Sequence, residues 1–283
     1  MAQADSKPLA GKIALVTGAN TGIGRVTAVA LAAQGAQLFV ACRSAQRAQS
    51  VLDEIGALPD GGKAELLPLD LGDFASVRQC AKTFLARGLP LQLLINNAGL
   101  AGARGYTKSG FELAFGVNHL GHFLLTQLLL ERIKTSAPAR IVTVASKAHY
   151  RARGMDWQAV RKPTRTATAL EEYGVSKLAN VLFSAELGRR LAGSGVTTYS
   201  LHPGVVATEV WRSVPWPFGW LLKLALTSPA KGARTTLHCA TSAGAAAETG
   251  LYYDECRPKT PSRVARDPEL ARILWERSEE WVC

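Results

Sequence analysis

Acidic residues are scarce. The 283-residue chain has 22 Asp and Glu against 33 Lys and Arg, leaving a net charge of +11. The bases are scattered (Arg43, Arg47, Arg78, Arg189, Arg190), with one looser cluster at 147–165 that includes Arg151, Arg153, Arg161, Lys162 and Arg165. No continuous nucleic-acid stripe or recognised nucleic-acid module accompanies the charge, so an anionic ligand or a membrane surface fits it better than RNA or DNA does. Cysteine is sparse too: Cys42, Cys80, Cys239, Cys256 and Cys283 are odd in number, far apart and without a C-x-x-C pair. That argues against a disulfide framework or a zinc site and suits a reducing, cytoplasmic compartment. His119 and His122 form H-x-x-H with no Glu or Cys at ligand spacing, so packing is their expected role. Long hydrophobic runs are lacking. The N-terminal "MAQADSKPLAGK" is polar and too short for a signal peptide or anchor, and the apolar stretch 210–226 is broken by Pro215, Pro217 and Lys223. That stretch is expected to serve as a substrate lid, or as a peripheral membrane contact through Trp211, Trp216 and Trp220. No repeat or low-complexity tract is visible, and 47% hydrophobic residues predict a packed core.

What is present is alternation. "KIALVTG" (12–18) reads as a strand and "GRVTAVALAAQGA" (24–36) as a helix closed by Gly35. The pattern continues with strands at 37–43, 64–71, 91–99, 140–146, 196–204 and 249–254, and helices at 44–58, 73–87, 109–134 and 170–192. Strands alternating with helices predict an α/β, Rossmann-like, doubly wound and mainly parallel sheet with helices on both faces, as a single domain over 1–283. Residues 1–10 are expected to be a flexible N-terminus and 205–248 a substrate-cleft or lid region.

The polar motifs fall where ligands bind such sheets, at the carboxyl ends of strands. "TGANTGIG" (17–24) places Gly18, Gly22 and Gly24 between first strand and first helix, where glycine lets the backbone approach a pyrophosphate at the helix N-terminus. The spacing is G-x-x-x-G-x-G, not G-x-G-x-x-G. An acid that would bind the ribose hydroxyls of NAD is missing after the second strand, which ends in Cys42-Arg43-Ser44. Arg43 can pair with a 2′-phosphate, favouring NADP, or can simply be a solvated strand-end charge. Asp70, ending the third strand, can accept from an adenine amino group, and "NNAG" (96–99) offers a small wall for a cofactor. "YGVSK" puts Tyr173 and Lys177 on one helical face, one turn apart, where the ammonium can favour the phenolate. Alone, that pair is equally a core-edge tyrosine beside a solvated lysine.

Taken in order, T-G-x-x-x-G-x-G, N-N-A-G, Ser146, Y-x-x-x-K and "HPGVVAT" (202–208) resemble the short-chain dehydrogenase/reductase family over roughly 11–210. "ACRS", "VNHLGHFLLTQLLL" and "SKLANVLFSAELGRRL" resemble its retinol dehydrogenase branch, which reduces retinaldehyde with NADPH. The resemblance implies a catalytic set of Asn118, Ser146, Tyr173 and Lys177. Tyr173 would exchange a proton with the substrate oxygen, Ser146 would hold that oxygen, Lys177 would lower the tyrosine pKa and hold the nicotinamide ribose, and Asn118 would position a water. It implies an NADP(H) site formed by Gly18, Asn20, Thr21, Gly22, Ile23, Gly24, Arg43, Asp70, Leu71, Asn97, Ala98, Gly99, Tyr173, Lys177, Pro203, Gly204, Val206 and Thr208, with no metal. A homodimer is implied as well. The expected substrate is a hydrophobic aldehyde or ketone and its alcohol, retinal and retinol first. A steroid or xenobiotic carbonyl, a tetrapyrrole double bond reduced under light, or a non-catalytic dinucleotide-binding role are the alternatives.

Overall fold

A computed structural model describes residues 7–59, 62–204 and 228–283. In chain order the elements are β1 (Ile13–Thr17), α1 (Gly22–Ala33), β2 (Gln37–Cys42), α2 (Ala45–Gly56), β3 (Ala64–Pro68), α3 (Phe74–Leu85), β4 (Leu93–Asn96), α4 (Leu113–Thr135), β5 (Ala139–Val144), α5 (Leu170–Arg190), β6 (Val196–His202), α6 (Pro229–Thr241), β7 (Leu251–Asp254), β8 (Arg257–Pro258) and α7 (Pro268–Val282). The strands lie in the order β3-β2-β1-β4-β5-β6-β7-β8, all parallel except the β7–β8 pair. The doubly wound, single-domain fold is therefore as expected.

The strands read as unbroken apolar runs because both sheet faces are covered. Along β1, Ile13 and Leu15 join one core layer and Ala14 and Val16 the other; along β2, Phe39 and Ala41 alternate with Leu38, Val40 and Cys42 in the same way. The first layer packs under α3, α4, α5 and α7, the second under α1, α2 and α6. Full burial of one such Leu or Phe is worth about 1.5–3 kcal/mol. The order in which strands are added reverses after β3, so that β4 returns to lie parallel to β1 as its hydrogen-bonded neighbour on the sheet. Their carboxyl ends flank the crevice where ligands of such sheets bind.

Local signals explain the helix limits. The alanine-rich α1 stops before Gly35, whose φ of +97° takes the chain out of the helix. Ser44, Asp73, Ser228 and Asp267 cap α2, α3, α6 and α7 with their side chains. α5 starts with Glu171 and Glu172 and ends with Arg189 and Arg190, each matched to the helix dipole, and Glu186 pairs with both arginines at 2.7 Å.

Two expectations need correcting. Residues 7–10 are not free: the Leu9 N–H donates to Gln34 O at 2.9 Å and Ala10 N–H to Lys7 O at 2.9 Å, tying this stretch to the end of α1. The region expected as a lid ends in a layer helix, α6, which packs against α1 and buries Cys239 and Ala240; residues 205–227 lie outside the described residues. Between β5 and α5, short 3-10 turns form at Lys147–Arg151 and Ala159–Arg161. The Trp-rich segment 210–226 also lies outside the described residues. α4 is long and apolar enough to cross a bilayer, yet it is mostly buried inside the fold.

Candidate active site

The end of β1 and the start of α1 form the first wall. Gly18 (φ +66°) and Gly22 (φ +56°) occupy left-handed conformations that side chains rarely adopt. A Cβ on Gly24 would lie 2.4 Å from Gly18 O and 2.4 Å from Asn97 Nδ2, so only glycine lets α1 close onto the loop after β4. Thr21 precedes α1 in extended conformation without a side-chain cap, and no acid stands in the first turn. Uncapped N–H groups at a helix N-terminus, approached by a glycine-lined turn, suit a pyrophosphate. Asn20, Thr21, Gly22, Ile23 and Gly24 lie on this turn.

The second wall is the stretch after β4. Asn97 Nδ2 donates to Thr17 O at 2.8 Å, while the N–H groups of Asn97 and Ala98 both donate to Thr17 Oγ1 at 2.9 Å. A Cβ on Gly18 would meet Ala98 Cα at 2.9 Å, and one on Gly99 would stand 3.2 Å from Asn118 Oδ1 and 3.4 Å from Lys177 Nζ. Small residues at 98 and 99 therefore bring the wall up against Asn118 and Lys177.

The four candidate catalytic residues come from three places: α4, the turn after β5, and α5. Asn118 lies in a π-helical turn of α4, Gly116–Leu120. Its side-chain amide accepts from Leu100 N–H at 2.9 Å and donates to Leu100 O at 3.0 Å and Ser176 Oγ at 2.9 Å; Ser176 in turn donates to Tyr173 O at 2.8 Å. These bonds brace the stretch after β4 against α5. Ser146, just beyond β5, accepts from Ala148 N–H at 3.1 Å and hydrogen-bonds the Tyr173 side chain. A Cβ on Gly174 would lie 3.2 Å from Ala148 O, so glycine beside Tyr173 lets α5 approach the serine turn.

Tyr173 and Lys177 share the inner face of α5, 8% and 3% exposed. Burial raises the phenol pKa, and the bond from Ser146 offsets part of the rise. Burial also lowers the Lys177 pKa to about 7. Desolvation is thus the largest influence on both groups in the protein alone, and the lowering of the tyrosine pKa expected of Lys177 belongs to the complex with the positively charged nicotinamide. Lys177 Nζ donates to Val144 O at 2.8 Å and stands 5.7 Å from the Tyr173 ring centroid. Val144 O accepts a second bond from Asn180 Nδ2 at 3.2 Å.

The other proposed contacts spread along the crevice. Arg43 is exposed at the end of β2. Asp70 turns one carboxylate oxygen to Gly72 N–H at 3.0 Å. The Leu71 side chain is 5% exposed and packs in the core beside Gly121, so only its backbone could face a cofactor. Pro203 and Gly204 follow β6, half-buried, while Val206 and Thr208 lie outside the described residues. Thr17, Ser176 and Asn180 carry no individual expectation from the sequence, and His122 was expected only to pack. Ser176 stands three residues after Tyr173, so its side of α5 was readable from spacing; the others depend on tertiary contacts. The H-x-x-H histidines diverge, His119 Nε2 meeting Ser278 Oγ at 3.0 Å and His122 Nε2 meeting Thr17 Oγ1 at 2.8 Å. Among the described residues no cluster of three metal-ligating side chains occurs.

A family profile described as short chain dehydrogenase matches residues 12–216. The chain belongs to that family. It is 45% identical to human "Retinol dehydrogenase 11" over 273 residues, covering 95% of this chain and 85% of that protein. A crystal structure of an uncharacterised Mycobacterium paratuberculosis protein superposes with TM-score 0.78 at 33% identity, covering 99% of this chain and 96% of the other. The Pseudomonas aeruginosa RhlG/NADP active-site complex gives TM-score 0.70 at 28% identity, with 88% and 96% covered. As a member of the short chain dehydrogenases, within the retinol dehydrogenase branch, the protein is an oxidoreductase that uses a nicotinamide dinucleotide.

Proposed function

We propose that this short chain dehydrogenase is an NADP-dependent enzyme interconverting a hydrophobic aldehyde or ketone and its alcohol, with retinal and retinol as first substrates. The observation that carries the chemistry is the hydrogen bond between half-buried Ser146 and buried Tyr173, with buried Lys177 one turn from the tyrosine on the same helical face. The likeness to human Retinol dehydrogenase 11 supports the substrate class. The glycine-lined α1 N-terminus, free of a side-chain cap and of acids, would hold the pyrophosphate, and the 97–99 wall would face the nicotinamide. NADP is favoured over NAD because β2 ends without a carboxylate and Arg43 is exposed there.

Bound NADPH supplies the hydride, and the oxidised ring a positive charge. Tyr173 Oη holds the proton that the carbonyl oxygen takes up as carbon is reduced, and accepts it back in alcohol oxidation. Ser146 donates to the same oxygen, fixing it within reach of Tyr173 and stabilising the charge that develops there. Lys177, held by Val144 O, would bind the nicotinamide ribose hydroxyls and, once protonated, favour the phenolate. The five free cysteines suit a reducing, cytoplasmic setting.

The test follows NADPH consumption with all-trans-retinal in wild type and Tyr173→Phe. Wild type turns over, and the phenylalanine variant loses roughly 100-fold or more in kcat with NADPH affinity kept, the range for removal of a general acid. Wild type that binds NADPH but leaves retinal untouched while reducing steroid ketones would sink the retinoid assignment.

A further inference from the structure

His122 belongs to no function assigned above, yet it is 1% exposed and stands between two walls of the site. Its Nε2 lies 2.8 Å from Thr17 Oγ1 and its Nδ1 3.0 Å from Asn118 O. The proton positions follow from counting donors. A carbonyl only accepts, so Nδ1 carries hydrogen and donates to Asn118 O. Thr17 Oγ1 already accepts the Asn97 and Ala98 N–H groups, which directs its own hydrogen to His122 Nε2; the other acceptor in reach, Ile95 O, is 3.4 Å away. Every polar atom of the ring is used, and only by the neutral Nδ1–H tautomer.

The two partners are the ends of separate chains of hydrogen bonds. Thr17 fixes residues 97 and 98, the start of the cofactor wall. Asn118 fixes Leu100, the end of that wall, and through Ser176 reaches the Tyr173 peptide. His122, which follows the π turn of α4, joins these chains.

We propose that His122 is a positioning residue that sets the spacing between the 97–100 wall and the Asn118–Ser176–Tyr173 chain, and with it the approach of nicotinamide to the tyrosine hydroxyl. The idea rests on the cofactor placement given under Proposed function. It adds that this spacing is set from behind the wall, by a residue that touches neither substrate nor cofactor. Burial supports the tautomer: the ring's pKa is lowered to about 4 by desolvation, with the neighbouring Lys177 charge adding to the effect.

Three variants separate the two links. His122→Leu removes both. His122→Asn keeps a donor near the Nδ1 position for Asn118 O, and His122→Gln keeps an acceptor near the Nε2 position for Thr17. Each is assayed for NADPH affinity by fluorescence, for kcat and KM with all-trans-retinal, and for thermal stability. Wild type labelled with ¹⁵N-histidine reports the tautomer by NMR, with no need for turnover. The expected result is a neutral Nδ1–H signal for His122 throughout the range from about pH 5.5 to 8. His122→Leu stays folded and loses about tenfold or more in kcat with retinal KM nearly unchanged, because a misplaced reactant slows chemistry more than binding. His122→Gln recovers NADPH affinity, and His122→Asn recovers part of kcat. An Nε2–H signal, or a folded leucine variant with wild-type kcat, overturns the proposal. So does equal loss of stability and activity in all three variants with no selective recovery. If wild type does not reduce retinal, the substrate assignment falls, while the tautomer and NADPH-affinity arms still decide the role of His122.

Discussion

Replacing Lys177 by methionine tests the electrostatics of the site without any ligand. The side chain is 3% exposed, and its pKa falls from 10.5 to about 7 on folding. At about 1.4 kcal/mol per pH unit, that shift amounts to roughly 5 kcal/mol of penalty against the charged form, an upper figure because relaxation and water entry soften it. The unfolded chain keeps the lysine proton up to about pH 10.4, whereas the folded protein releases it near 7. Between those values the unfolded state binds more protons, so stability rises with pH, by as much as about 1.4 kcal/mol per unit. The benefit of a neutral lysine is complete above the unfolded value and is lost as pH falls through the folded one. Methionine fills a similar volume, has no proton to lose and leaves Val144 O with the Asn180 bond. Urea unfolding of cofactor-free wild type and Lys177→Met, at several pH values from about 6.5 to 9.5, gives the result directly. The variant should be the more stable near neutrality, with the difference shrinking as pH rises. A difference that stays flat across the range would refute the claim that a desolvated ammonium stands beside Tyr173.

Acid should destabilise the protein through its buried histidines. His119, His122 and His202 have folded pKa values of about 3, 4 and 4, so the unfolded chain alone takes up protons as pH falls below about 6.5, and the urea midpoint should drop steeply down to about pH 4; a midpoint constant from pH 6.5 to 5 would contradict this. Phe123→Ala removes a ring that is 0% exposed and packs 5.1 Å from Trp275 and 5.6 Å from Phe183, a loss of about 3–5 kcal/mol in equilibrium unfolding. Asp267→Ala removes the acceptor for the Glu269 and Leu270 N–H groups and should lower stability by about 1 kcal/mol, with Asp267→Asn restoring most of it.

Strands β1 to β7, the first five helices and the shared face of Tyr173 and Lys177 were readable because each depends on local pattern. β1 is an apolar run ending in glycine, and Tyr173 and Lys177 follow helical spacing. The helices after 228 went unread although α7 carries an Asp267-Pro268 start and inward residues at 271, 274, 275, 278 and 282. The π turn at Gly116–Leu120 has no such signature, since it answers to the Asn118 contacts with Leu100 and Ser176, 18 and 58 residues away. The electrostatics was equally hidden. Spacing places a phenol beside an ammonium, but only burial decides that both are held near neutrality, and burial depends on what β5 and α4 bring to that face.

The C-terminal helix α7 lays Trp275 against Phe123 of α4 and stacks it on Phe183 of α5 at 5.9 Å, and lays Trp281 5.5 Å from Phe111. α5 is the helix that bears Tyr173, and its opposite side is covered by α7. A chain shortened before Pro268 would keep the sheet and the face of α5 that bears Tyr173, while an aromatic strip on α4 and α5 would lie open to solvent. Such a protein would hold its inner face intact and still be prone to clump.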